Sequence, residues 1–353
     1  MVIPMSDTVI GRKAGVVAGA LIVGLSLVAL LPGLRVILTD IGGVFTASYV
    51  RATFRMAVPI AFAAMGGIFA EKSGVINIGL EGLMIFAAIT GIATIWAVGG
   101  GPTGMWIGFV TAVVLSGFVA FLFAIACIRY KADQIIAGLA VWLIALGLAP
   151  FLSNIIWGSR NSPSVGTLSS IHVPVLSEIP GIGPALFQTI PPVYLLYVAI
   201  PFSWVLLYKT AFGKHLRASG EDPKSLDTAG VDVRKIRYAG VILSGIYCGI
   251  GGAGLAMNVG SFVGTGDTMI DGRGWIGLTA YLIGNYNPVL ASIASLFFAA
   301  LTALQLEVQQ LAGIDVSSTL VGIIPHVAVV VVLAFVGQTR MPSAAGEPYE
   351  SED

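Results

Sequence analysis

The sequence predicts an all-α integral membrane protein, and three observations lead to that prediction. Hydrophobic residues make up 56% of the 353-residue chain and charged residues only 10%, whereas about a quarter of an average soluble domain is charged. Long charge-free stretches recur, each near the roughly 20 apolar residues that a spanning helix needs. The 45 glycines fit the close helix packing and broken helices of membrane proteins.

The apolar stretches predict about ten transmembrane spans. The first, residues 14–34, follows Arg12 and Lys13 as a signal peptide would, but no clear small-residue cleavage site comes after it. We therefore interpret it as a retained span. The other nine predicted spans are residues 53–70, 78–98, 105–128, 134–152, 193–208, 239–259, 275–284, 289–306 and 319–336.

Charge is concentrated in one mid-chain loop. Residues 209–237 hold eleven charged side chains, seven of them basic. Because basic loops stay in the cytoplasm, we expect residues 209–238 and both termini inside and the proline-rich residues 153–192 outside. Residues 1–340 are then a single transmembrane domain, and the polar residues 341–353 are a disordered cytoplasmic tail.

The sequence lacks the marks of several other classes. A net charge of zero does not indicate a nucleic-acid partner. No G-x-x-x-x-G-K-[ST] loop, metal motif or catalytic constellation occurs, so we expect no catalytic residue, no metal and no cofactor bound by this chain. Ion-coupled transporters usually keep ionisable groups at membrane depth, and here the only internal candidates are Glu81 and His326. We therefore expect a conduit whose energy comes from another protein.

The charged loop predicts a short helix over residues 223–229. Asp222 suits its N-cap and Pro223 its first position, and Gly230 suits the left-handed residue that ends a helix. Asp232 caps a second helix that leads into the next span. A helix of about seven residues is marginal alone, so the caps favour a docking element over the alternative of a solvated basic loop.

Three blocks of sequence resemble one family. They are EKSGVINIGLEGLMIFAA (71–88), RASGEDPKSLDTAGVDVRKIRY (217–238) and DGRGWIGLTAYLIGNYNP (271–288). In that order they resemble the permease subunits of ABC importers for simple sugars and nucleosides, and the likeness covers roughly residues 53–336. It implies a type II importer fold in a bacterial inner membrane, with residues 1–340 as the permease domain.

The resemblance also implies partners. The charged loop becomes a coupling helix that sits in a cleft of an ATPase subunit, which would use ATP and Mg²⁺. Two such ATPases, a second permease subunit that is identical or related, an external solute-binding protein or lipoprotein and membrane lipid would complete the assembly. The residues assigned to ATPase coupling are Gly220, Glu221, Asp222, Pro223, Asp227, Ala229, Gly230 and Asp232.

Two glycine-rich polar interruptions occur at similar places in the two halves of the chain. The first is Gly66-Gly67 with residues 71–82, and the second is Gly251-Gly252 with residues 264–274. They predict an inverted repeat in which spans two to five match spans seven to ten. Irregular backbone at membrane depth is tolerated only where protein or a water-filled cavity covers it, so both interruptions are expected to line the pathway. The candidate pathway residues are Asn77, Glu81, Phe86, Asn258, Trp275 and Asn285.

Each candidate has a structural alternative. Asn77 and Glu81 lie four apart and share a helix face, but Asn77 can equally cap the third span while Glu81 pairs with Lys72. Phe86 and Trp275 can stack on a base, although aromatic residues at such positions more often belong to the core. Asp267, Asp271 and Arg273 would contact the binding protein, or pair with one another.

Nucleosides are the solutes that the resemblance favours, with a ribose-like sugar or a flavin as alternatives. An ion-coupled secondary transporter is the competing class, and the scarcity of charge within the spans weighs against it.

Overall fold

The computed structural model describes residues 46–180, 183–310 and 339–350. The first and tenth predicted spans, and His326, lie outside these residues. Almost all of the regular secondary structure in these residues is helical. Its helices are α1 Ala47–Lys72, α2 Leu80–Val98, α3 Gly101–Ala124, α4 Gln134–Trp157, α5 Gly183–Leu186, α6 Pro191–Lys209, α7 Ala211–Glu221, α8 Pro223–Thr228, α9 Val233–Val259, α10 Arg273–Ile283 and α11 Pro288–Gln310. A π-helical turn, Ile125–Arg129, extends α3, a 3-10 turn covers Leu176–Glu178, and two short strands, β1 Ile171–His172 and β2 Gln188–Thr189, pair antiparallel.

Seven described helices are long and apolar enough to cross a membrane: α1, α2, α3 with its π-helical turn, α4, α6, α9 and α11. They correspond to predicted spans two to seven and nine. The prediction that the eighth span crosses the membrane as one helix is wrong. This span corresponds to α10, which has 11 residues and is about 16 Å long, whereas the hydrocarbon core is about 30 Å thick.

Helices α1 and α9 form the centre of the bundle. In the most apolar 18-residue stretch of each of these helices, 78% of the residues are buried, against 22% in α4. Helices α1 and α9 therefore face protein, while α4 exposes an apolar surface. Small residues allow the close approach. A Cβ on Gly66 would lie 2.9 Å from the Ser244 carbonyl, and one on Gly251 would lie 3.2 Å from the Pro59 carbonyl. These pairings make α1 and α9 antiparallel.

The chain between α4 and α6 covers one end of the bundle, which we call the loop end. The described part of residues 153–192 holds the β1–β2 hairpin and packs on the chain after α9. Val165 N–H donates to the Gly260 carbonyl (2.8 Å), and Ser162 N–H donates to the Phe262 carbonyl (2.9 Å). This predicted external loop is therefore attached to the second interruption.

The opposite end, which we call the charged end, carries Lys72, α7, α8 and the start of α9. The C-terminal residues 342–350 also lie here, although their polar composition led us to expect disorder. Ala344 N–H donates to the Gly220 carbonyl (2.8 Å) and Gly346 N–H donates to the Gly74 carbonyl (3.1 Å). This segment is thus packed against the charged loop.

Candidate functional site

The first interruption is a non-helical return between α1 and α2. Gly74 has a φ of +97°, which turns the chain back beside α1. Ile76 N–H then donates to Oε1 of Gln134 (2.6 Å). Asn77 is 1% exposed; its Nδ2 donates to Oγ of Ser244 (3.1 Å) and its Oδ1 accepts from Gly79 N–H (3.0 Å). Asn77 therefore ties this segment to α9, and the N-cap of α2 is Gly79.

The second interruption lies between α9 and α10. Gly260 ends α9 with a φ of +77°, and Gly272 precedes α10 with the same value. Between them, Thr268 and Asp271 also adopt left-handed backbone conformations. The segment runs back alongside the bundle, and α10 begins next to the start of α2.

Glu81 joins the two interruptions. Its Oε1 accepts from Gly272 N–H (2.8 Å) and its Oε2 accepts from Gly274 N–H (2.6 Å). The side chain is 2% exposed. A carboxylate at these N–H groups satisfies donors that the first turn of α10 leaves without intrahelical partners and complements the helix dipole. Glu81 is thus a buried cap supplied from a distant part of the chain.

The expected pairing of Glu81 with Lys72 is not formed. Lys72 Nζ instead lies 3.8 Å from Oε1 of Glu221 and 4.9 Å from the centre of the Tyr286 ring. Helix α2 starts nearer to the loop end than the point where α1 ends. Glu81 therefore lies away from the charged end, where Lys72 is located.

A second buried carboxylate, Glu71, was missed by the sequence reasoning. Its Oε1 accepts from the Tyr281 hydroxyl (2.5 Å) and its Oε2 accepts from the Tyr286 hydroxyl (2.7 Å). These bonds join the end of α1 to the end of α10. No local spacing signals them, because the partners are more than 200 residues away; only the position of Glu71 within the first resembling block pointed to it.

The other candidate pathway residues are spread over the molecule. Phe86 is 9% exposed, and Trp275 packs edge-on against Trp142, with ring centres 5.4 Å apart. Asn258 is half-buried near the end of α9. Asn285 lies at the charged end, where its Oδ1 accepts from Arg340 N–H (3.0 Å). The structure brings Asn77 and Glu81 into one buried junction and leaves Asn285 apart from it.

The three candidate binding-protein contacts occupy different settings. Asp267 is exposed. Asp271 and Arg273 flank Gly272 and so lie beside Glu81, at the start of α10 rather than at the end of α9. Arg273 Nη1 donates to the carbonyls of Met269 (3.1 Å) and Ile270 (2.9 Å), which directs the guanidinium into its own loop.

The charged loop folds as its capping residues predicted. Helix α8 is Pro223–Thr228, with Asp222 as N-cap and Ala229 as C-cap. Asp222 Oδ1 accepts from Ser225 N–H (3.1 Å), and Oδ2 accepts from the Ser225 hydroxyl. These bonds, the hydroxyl one first, lower the pKa of Asp222. Gly230 has the expected left-handed backbone, with a φ of +79°.

The start of α9 is capped in the same way. Asp232 Oδ1 accepts from Lys235 N–H (3.1 Å), and this hydrogen bond is the largest cause of the lowered pKa of Asp232. The Lys235 ammonium adds an ion pair at 3.2 Å from Oδ2. Each of the two helices thus has a carboxylate cap from the residue just before it.

The charged loop rests directly on the first interruption. The Ser219 hydroxyl donates to the Ser73 carbonyl (2.8 Å). A Cβ on Gly220 would lie 2.6 Å from the Lys72 carbonyl, so only glycine allows α7 to come this close. Glu221 approaches Lys72 at 3.8 Å. A displacement of α7 must therefore press on the turn that leads to Asn77.

The described residues contain no group of three or more His, Cys, Asp or Glu side chains placed to hold a metal ion. Cys127 and Cys248 are both buried and free. The buried polar groups of the junction form helix caps and link separate segments of the chain. Their role is to hold these elements in position.

The comparisons with known proteins agree with this architecture. Residues 49–336 match the family described as "Branched-chain amino acid transport system / permease component". The chain is 33% identical over 306 residues to the guanosine ABC transporter permease protein NupQ of Bacillus subtilis (strain 168), covering 85% of this chain and 95% of that protein. It is 34% identical over 299 residues to the nucleoside ABC transporter permease protein NupC of Lactococcus lactis subsp. cremoris (strain MG1363), covering 83% and 93%.

A third relative has a different name. The chain is 32% identical over 285 residues to the putative glucose ABC transporter permease protein TsgC13 of Haloferax volcanii, covering 79% of this chain and 84% of that protein. No solved structure matches the chain. With most of its length matched both by the family and by these relatives, the chain belongs to the permease component family of branched-chain amino acid-type transport systems.

Proposed function

We propose that this chain forms one half of the membrane pathway of an ATP-driven importer of nucleosides. The choice of nucleosides as the solute is supported by the likeness, over 83–85% of the chain, to permeases named for guanosine and for nucleosides. A simple sugar is the second candidate, because a permease named for glucose is 32% identical.

The energy for import comes from partner subunits. The sequence has no G-x-x-x-x-G-K-[ST] loop, so two ATPase subunits bind ATP and Mg²⁺ and hydrolyse the ATP. Helix α8 docks to an ATPase subunit, since it is short, capped at both ends and carried at the charged end directly after α7. A second permease subunit, identical or related, completes the pathway.

The fold proposed for the whole chain is a type II importer domain over residues 1–340, in the plasma membrane, with ten transmembrane segments of which the eighth contains the half-length helix α10. Both termini and the charged end face the cytoplasm, as the excess of basic residues there favours. The loop end, with the exposed Asp267, then receives the solute-binding protein outside.

An inverted repeat relates the two halves in this proposal. Its support is the matched geometry of the interruptions. Antiparallel helices α1 and α9 are each followed by a returning segment and then by a helix that starts inside the bundle. The N-termini of these two helices, α2 and α10, meet at Glu81. Broken helices of this kind place binding sites near the membrane midplane in transporters.

Alternating access follows from differential contacts between two states. In the described state Asn77 and Glu81 are buried and hydrogen-bonded within the chain. ATP-driven movement of α7 and α8 would press on Ser73 and Gly74 and shift Asn77 relative to Ser244. The junction would then open or close the pathway between the paired permeases.

Reconstitution tests the proposal. The permease is purified from its host with its ATPase and binding protein, placed in proteoliposomes and assayed for uptake of guanosine, adenosine, cytidine, ribose and glucose. We expect ATP-dependent uptake of nucleosides that persists when ion gradients are dissipated. Uptake that continues without the ATPase and follows an ion gradient would establish the secondary-transporter alternative.

The binding protein provides a separate test of the solute. Isothermal titration of that partner should show binding of nucleosides and weak or no binding of free sugars. Strong sugar binding without nucleoside binding would overturn the nucleoside assignment and leave the importer mechanism standing.

A further inference from the structure

The C-terminal segment, residues 342–350, contacts several separate parts of the charged end. Oε2 of Glu221, the last residue of α7, accepts from Ser343 N–H (3.3 Å) and Ser343 Oγ (3.2 Å). Arg237 Nη1, in the first turns of α9, donates to the Glu347 carbonyl (2.7 Å). Glu350 forms an ion pair with Lys131, in the loop between α3 and α4. Nine residues thus connect elements that are distant in sequence.

The segment also contacts α8. The Tyr349 hydroxyl donates to Oδ2 of Asp227 (2.8 Å). Tyr349 lines a cavity of about 400 Å³ with Asp222 and Lys224 and a second cavity of about 560 Å³ with Asp227 and Gly230. Tyr349 therefore lies close to both ends of α8.

The other contact of the segment is with the first interruption. Gly346, with a φ of +86°, donates its N–H to the Gly74 carbonyl. A Cβ on Gly74 would lie 2.9 Å from Nη2 of Arg237, so Gly74 is held between Arg237 and Gly346. Asn77, which bridges to α9, follows three residues later.

We propose that residues 342–350 transmit the displacement of α8 to the Gly74 turn, with Tyr349 and Gly346 as its two positioning residues. This rests on the proposed role of α8 in ATPase docking. The segment provides a route from Asp227 to Gly74 that consists of a hydrogen bond at Tyr349, the covalent backbone back to Gly346, and a hydrogen bond from Gly346 N–H to the Gly74 carbonyl. Such a route couples two sites when both ends move between discrete arrangements.

The test measures coupling rather than assembly. Tyr349→Phe removes the hydroxyl that bonds Asp227 and keeps the ring. In proteoliposomes with ATPase and binding protein, we expect the ATPase to remain bound and to hydrolyse ATP. The amount of solute taken up per ATP should fall about two- to tenfold, the range that corresponds to one lost hydrogen bond. Tyr194→Phe, which removes a hydroxyl bonded to the Ile171 carbonyl at the loop end, is the matched control.

Four further variants locate the effect. Gly346→Val strains a left-handed position and disturbs the contact with Gly74, so it should lower the same ratio. Truncation after Met341 should lower it further, whereas truncation after Glu350 keeps every contact named above and should not. The double variant Asp227→Ala with Tyr349→Phe should be no worse than the more affected single variant if the two residues act through one bond.

The outcomes separate this proposal from the proposed function. If the unaltered permease binds no ATPase, the docking role of α8 fails. If it binds and transports, but Tyr349→Phe and the truncation after Met341 keep the normal ratio, the transmission proposal is overturned. Loss of ATPase binding in Tyr349→Phe would also overturn it, because the segment would then be a docking surface rather than a transmitter.

Discussion

Asp222 and Glu81 both cap helix N-termini, and they do so in opposite ways. Asp222 caps α8 from the adjacent position and is exposed to solvent. Glu81 caps α10 from about 190 residues away and is 2% exposed. The same hydrogen-bonding chemistry is local in the charged loop and long-range at the buried junction.

The difference in environment sets the cost of losing each cap. Water can replace the side chain of Asp222 at the exposed N–H groups of α8. At the junction Gly274 is buried and Gly272 is only partly exposed, and a buried donor without a partner costs the desolvation free energy of that group. The buried cap should therefore control stability and the pathway, and the exposed cap should control the shape of one loop.

The largest expected effect comes from Glu81→Ala. It leaves the N–H groups of Gly272 and Gly274 without their acceptors, at about 1–3 kcal/mol each. We expect a marked fall in the apparent Tm of the detergent-solubilised permease and loss of uptake. Thermal unfolding followed by size-exclusion chromatography measures the first, and the proteoliposome assay measures the second.

Glu81→Gln should have a smaller effect of the same kind. Its amide retains one carbonyl acceptor, so its Tm should lie between those of Glu81→Ala and the unaltered chain. Glu178→Gln, an exposed change near the β1–β2 hairpin, is the control. A Glu81→Ala permease as stable as this control would show that the junction does not hold α10.

The second effect tests how closely α2 and α10 must approach. A Cβ on Gly274 would lie 2.7 Å from the Glu81 backbone and side chain, whereas a Cβ on Gly147 in α4 would meet nothing within 4 Å. Gly274→Ala should therefore lower the Tm and uptake, and Gly147→Ala should change neither appreciably. Equal behaviour of the two variants would argue against a tight junction.

The comparison also explains which features could be predicted from sequence. Local chemistry was sufficient for α8: Asp222, Pro223 and Gly230 specify its start and end within nine residues, and the structure has those caps. Hydropathy likewise placed the long spans, because the membrane requires a charge-free length. It failed for α10, where an apolar stretch is a half-length helix.

The partners of the buried carboxylates could not be predicted in this way. Pairing of Glu81 with Lys72 was the alternative to a pathway role, but the returning segment after Gly74 moves the two residues apart. The bonds of Glu71 to Tyr281 and Tyr286 join chain segments that only the fold brings together. The C-terminal segment was expected to be disordered because its composition is polar. Its contacts in the structure are mainly hydrogen bonds, which composition does not reveal.

A smaller effect is expected at Gly230. Its φ of +79° strains a β-branched residue, although a Cβ would meet no atom within 4 Å. Gly230→Val should therefore cost about 1–2 kcal/mol locally, impair ATPase docking or coupling and leave membrane insertion unchanged. Co-purification of the ATPase and ATP-dependent uptake measure the effect.

Asparagine provides the control at this position, because it tolerates the left-handed conformation better than valine does. Gly230→Asn should retain most of the coupling. If Gly230→Val transports normally, the loop that follows α8 is not the element that the ATPase moves.

The smallest expected effect is that of Asp222→Ala. Loss of the cap should fray the first turn of α8 and leave the Tm of the permease unchanged, because the residue is exposed and the turn is not part of the core. Hydrogen exchange of the Ser225 amide, corrected for the intrinsic rate, should increase. Glu178→Ala should not alter that amide.

The pH dependence of the same amide completes the comparison of the two caps. Hydrogen bonds from Ser225 lower the pKa of Asp222 in the folded loop. The cap is therefore fully formed at pH values above the ordinary carboxyl pKa of about 3.9, and it is lost as the pH falls through the lowered pKa of the folded loop. Protection of the Ser225 amide should therefore be constant between about pH 5 and pH 8. Protection that declines within that range would show that Asp222 does not hold α8 as an ionised cap.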